Sequence, residues 1–100
     1  MKSDFPILIA EDNPVSRKLL EKTLTKAGYE VVSAKDGREA LELFAQRFFP
    51  IVLTDWMMPE MTGPELCREL REQSENGYIF MILLTAVCYF IMYIRNGGDI

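Results

Sequence analysis

Three short apolar runs each end on an acid or a hydroxyl, and this placement constrains the fold more than any other feature of the chain. Residues 7–10 stop at Glu11 and Asp12, residues 51–54 at Asp55, and residues 78–84 at Thr85. Runs with no polar alternation suit strands covered on both faces, as in a parallel sheet. A fourth run, 29–34, contains Val31 and Val32 and reads as a further strand. Helical patterns fill the intervals. Asn13 and Pro14 supply a cap and a first-turn proline, Val15, Leu19, Leu20, Leu24 and Ala27 form one apolar stripe, and Gly28 is placed to stop the helix. Asp36 and Gly37 open a helix carrying Ala40, Leu41, Phe44, Ala45 and Phe48, which Pro50 ends. Residues 65–73 form a third helix, with Leu66, Cys67 and Leu70 inward. The order β-α-β-α-β-α-β requires right-handed crossovers with helices on both faces of a parallel sheet.

Ligands of such sheets bind at the carboxyl ends of the strands, where strand order reverses. In the flavodoxin-like doubly wound order, 2-1-3-4 here, the first and third strands are neighbours, so Glu11, Asp12 and Asp55 meet. Three facing carboxylates repel one another unless protons or a cation neutralise them, and hard oxygen donors favour Mg2+. An aspartate beside Mg2+ is suited to attack phosphorus, and Asp55 is the best placed. Thr85 would aim its hydroxyl at the same crevice and act as a switch. Singly, each residue has a plainer reading: capping acids, an Asx turn, a β-forming threonine. Their convergence on one pole outweighs those readings.

These residues resemble the receiver domain family of two-component response regulators. Residues 11–14, Glu-Asp-Asn-Pro, are similar to its acidic pair, residues 53–63 to its phosphorylation segment, and residues 83–86, Leu-Leu-Thr-Ala, to its hydroxyl-bearing strand end. The resemblance covers residues 5–86. It implies Asp55 as phosphoacceptor, Asp12, Asp55 and the Met57 backbone carbonyl as Mg2+ ligands, and Glu11 acting through water or in support of the ligands. It further implies a sensor histidine kinase as phosphohistidine donor, and no enzymatic turnover beyond self-phosphotransfer and autodephosphorylation. Trp56 either shapes access to the site or packs over the loop.

Residues 1–100 read as a single domain whose last part, 87–100, departs from the family. Neither its fourth helix nor its fifth strand and helix is expected here, and no lysine follows Lys35 to pair with the acceptor aspartate. Residues 87–94 are wholly apolar and rich in β-branched and aromatic side chains, which favours a strand that extends the fourth, replaces the fifth or pairs with a second molecule. The segment 78–94 is therefore a possible homodimer face. The alternative function is a signalling-impaired receiver-like interaction module. An aspartyl phosphatase would want an acid where Met57 stands, and a membrane span of residues 78–94 lies at the short limit of length. A net charge of −4 without a basic cluster argues against a nucleic-acid surface, and Cys67 and Cys88 read as reduced thiols of a cytoplasmic protein.

Overall fold

Every strand-to-helix turn in this chain is set by a side chain that replaces a missing backbone partner. The computed structural model describes residues 6–73, 78–84 and 89–95. Strand β1, Ile7–Ala10, leads into α1, Pro14–Lys26, through Asn13, whose Oδ1 accepts from the N–H groups of Val15 and Ser16 at 2.9 and 3.0 Å. Helix α1 ends in a Schellman motif: Gly28, at φ +101°, donates to Thr25 O, and Tyr29 donates to Leu24 O. Strand β2, Val31–Ala34, is followed by α2, Gly37–Phe44, capped by Asp36 Oδ1 accepting from Glu39 N–H at 2.8 Å. Strand β3, Ile51–Asp55, precedes α3, Gly63–Gln73. Strands β4, Tyr78–Leu84, and β5, Tyr89–Arg95, complete the described elements.

The sheet order is β2-β1-β3-β4-β5, with β1 to β4 all parallel. This agrees with the expected doubly wound order 2-1-3-4. Beyond β4 no parallel fifth strand is found among the described residues, as expected; the apolar tail, expected as a strand, supplies β5, which pairs with β4 antiparallel. A return in parallel needs a crossover of about a dozen residues or more. The two strands are separated only by residues 85–88, a hairpin length. The apolar segment 78–94 thus supplies two strands, and among the described residues no helix is long and apolar enough to cross a membrane.

Alternation along β1 divides the core between the two faces. Leu8 and Ala10 join Val52 and Met81 beneath Ala40 and Phe44 of α2 and Leu66, Cys67 and Leu70 of α3. Ile7, Ile9 and Leu53 face the other way, against Leu20 and Leu24 of α1. Each fully buried leucine contributes about 1.5–3 kcal/mol. The single stripe expected on α1 is split: Leu20 and Leu24 reach the sheet, whereas Val15 and Leu19 are 77% and 65% exposed. These pairs lie on adjacent i, i+4 rows of the helix, and only one row faces the sheet. Phe48 and Tyr29 are likewise exposed, because α2 stops at Phe44 and β2 starts at Val31.

Candidate functional site

Pairing of β1 with β3 places Ala10 opposite Thr54, so the residues that follow each, Glu11 and Asp55, emerge side by side at the carboxyl pole. One ligand oxygen from each of Glu11, Asp12 and Asp55 lies within 4.8 Å of the others. Glu11 is buried, yet each of its polar groups has a partner. Its N–H donates to Ala34 O at 3.1 Å, its Oε2 accepts from Asn13 N–H at 3.1 Å, and its carbonyl accepts from Arg17 Nη1 at 2.8 Å.

Electrostatics in the cluster are strained in one direction. Burial, more than any other cause, holds the carboxyls of both Glu11 and Asp55 above their ordinary values. The negative charge of Asp55 adds to the rise at Glu11, and that of Asp12 adds to the rise at Asp55. A hydrogen bond between the Glu11 and Asp55 carboxyls ties their titration together. Such a site holds its protons to higher pH than free carboxyls do unless a cation takes their place. Three hard oxygen donors match a hard divalent cation and not a thiophilic metal.

The loop after Asp55 is closed by its own backbone. Gly63 N–H donates to Trp56 O, and Met61 N–H donates to Pro59 O, both at 2.7 Å. The latter bond spans a γ-turn centred on Glu60 at φ +72°, a strained conformation for a residue with a Cβ. Thr62 and Glu65 form a capping box, with Glu65 N–H to Thr62 Oγ1 at 3.3 Å and Thr62 N–H to Glu65 Oε1 at 2.8 Å. Loop and α2 touch closely at one point. A Cβ on Gly37 would lie 2.8 Å from Met61 Sδ and 3.1 Å from Met61 Cβ.

The structure thus brings together Glu11, Asp12 and Asp55. Trp56, next to Asp55, is half-buried and packs against the core together with Met61. Met57 exposes its side chain, so any part it plays at the site falls to its backbone. Cys67 is a buried free thiol pushed up to about 12 by burial, in keeping with a packing role. Thr85 and Cys88 lie outside the described residues. Sequence reasoning passed over Arg17, Glu60 and the Gly37–Met61 contact. Arg17 carried one readable indication: a cation in the first turn of a helix opposes the helix dipole, and such a local conflict points to a specific partner.

A family model described as "Response regulator receiver domain" matches residues 7–91. Among curated proteins, the chain is 39% identical over 93 residues to "Probable transcriptional regulator ycf27" of Porphyra purpurea, covering 93% of this chain and 38% of that protein. The chain therefore spans about two-fifths of the length of this relative. Among solved structures, the response regulator protein TrrA of Thermotoga maritima, in complex with Mg(2+)-BeF, superposes with a TM-score of 0.75 at 36% identity, over 82% of this chain and 70% of that one. A structure of histidine kinase ThkA in complex with TrrA matches with a TM-score of 0.75 at 35% identity, over 86% of this chain and 72% of that one.

Proposed function

Because this chain belongs to the response regulator receiver domain family, we propose that Asp55 is its phosphoacceptor and that a sensor histidine kinase supplies the phosphoryl group. The observation that carries this reading is the gathering of Glu11, Asp12 and Asp55 within 4.8 Å at the carboxyl pole of β1 and β3. Asp12, Asp55 and the Met57 carbonyl would hold Mg2+, with Glu11 supporting them. When bound, the ion offsets the repulsion between a carboxylate and a phosphoryl group and stabilises the charge of transfer.

The chain's own residues do the rest. An Asp55 carboxylate oxygen forms the new bond to phosphorus, the bond from phosphorus to the donor imidazole nitrogen breaks, and the electron pair leaves with the histidine. The product is a mixed carboxylic–phosphoric anhydride on Asp55. Asp55 attacks as its carboxylate, the charged form that burial disfavours until the cluster is neutralised. The backbone bonds of residues 56–63 and the half-buried Trp56 hold the loop in place after Asp55. Thr85, one residue beyond β4, is the hydroxyl that senses the phosphoryl group.

Support for the donor comes from the TrrA relative, solved in complex with a histidine kinase. Incubation with Mg2+ and acetyl phosphate should add one phosphoryl group to the intact mass, and D55N should abolish the gain. An unchanged wild-type mass would instead favour a receiver-like module that does not accept phosphate.

A further inference from the structure

The turn that carries Asp12 is fastened from an unexpected place. Arg17 lies in the opening of α1, where the positive end of the helix dipole disfavours a cation, and the first turn of this helix holds no acid to compensate. Arg17 is nonetheless half-buried and directed backwards. Its Nη1 donates to the carbonyl of Glu11 at 2.8 Å, while its backbone N–H donates to the carbonyl of Asn13 at 2.9 Å. One residue thus closes the segment 11–17 at both its side chain and its main chain. Asp12 lies between the two carbonyls so held.

Glu11 N–H donates to the carbonyl of Ala34 at the end of β2 and its own carbonyl accepts from Arg17, so both backbone groups of Glu11 are held. A charged donor on a backbone carbonyl makes a strong bond.

We infer that Arg17 is a positioning residue for the metal-binding turn, acting through the Glu11 carbonyl to hold Asp12 and Glu11 in register with Asp55. This rests on the reading of the acidic cluster as a Mg2+ site. Groups that orient metal ligands typically change affinity by about 10- to 100-fold when removed, and a clasp acting through backbone belongs at the lower end, about tenfold.

The test is a Mg2+ titration of the full chain, followed by the fluorescence of Trp56, its only tryptophan. R17M keeps the apolar stem and removes the donors, while R17K keeps a donor of different reach. R17M should weaken Mg2+ about tenfold and R17K about threefold, with both melting near the wild type in EDTA. That separation of affinity from stability is what a merely structural role would not give. Wild-type affinity in R17M, or an affinity loss matched by an equal loss of stability in EDTA, overturns the inference. If R17M does not fold, wild-type affinity in R17K overturns it. Absence of Mg2+ binding by the wild type would sink the metal reading and the role of Arg17 together, whereas binding unaffected by R17M sinks the role alone.

Discussion

Replacing Asp55 by asparagine should make the metal-free protein more stable, although it removes the residue on which function depends. The substitution keeps shape and removes one charge from three carboxyl groups gathered within 4.8 Å. Two unit charges at that distance repel by about 3.5 kcal/mol at an effective dielectric of 20 and by about 0.9 kcal/mol in bulk water. Asp55 is only half-buried, and salt screens part of the repulsion. A gain of about 1–2 kcal/mol remains. At about 4–8 °C per kcal/mol for a chain of this size, the melting temperature should rise by roughly 4–16 °C.

The assay is urea unfolding at neutral pH, in EDTA and in saturating Mg2+. In EDTA, D55N should raise the midpoint without changing the slope. With Mg2+ the order should reverse, because the wild type gains about 2.7 kcal/mol when the ion stands at 100 times its dissociation constant. pH supplies a further check, with a definite sign. The native carboxyls of Glu11 and Asp55 lie above their ordinary values of 4.5 and 3.8, so the native state holds more protons than the unfolded state in between. Their contribution to wild-type stability is present below the ordinary values and is lost as pH rises through the native ones. The advantage of D55N should therefore fade in acid. A D55N protein that is less stable than wild type in EDTA at neutral pH would refute the reasoning.

Mg2+ binding should weaken as pH falls through the raised carboxyl values of Glu11 and Asp55, and calorimetry in buffers of different ionisation enthalpy should record proton release on binding. G37A should cost about 1–2 kcal/mol in urea, because the new methyl meets Met61 Sδ at 2.8 Å; a neutral or stabilising result would mean that the loop yields freely there. We expect self-association through the 78–94 segment, since β5 ends the sheet order and carries seven residues without proline and with Arg95 as its only charge. Sedimentation velocity across a dilution series should show it, and a monomer throughout would count against it.

Much of this fold was legible because separate rules agreed locally. Asn13-Pro14, Asp36 and Gly28 occupy the caps that their chemistry suggests, and the apolar runs became strands in the expected order. Periodicity gave the apolar stripe of α1 but not its width, since Val15 and Leu19 differ from Leu20 and Leu24 only in which row meets the sheet. The direction of β5 depends on the length of its connection, which composition does not report. At the site, the acids stood out because two neighbouring strands delivered them to one pole. Arg17 was hidden because its bond is to a backbone carbonyl, which no motif records, and the strain at Glu60 because glutamate gives no sign of a positive φ.

The central claim is that Asp55 itself takes the phosphoryl group. Borohydride reduces an aspartyl phosphate to homoserine, so treatment after exposure to Mg2+ and acetyl phosphate, followed by peptide mass mapping, locates the acceptor directly. Conversion is expected at Asp55 alone, lost when Mg2+ is chelated; conversion at Asp12 or elsewhere, or none at all, would contradict Asp55 as the acceptor.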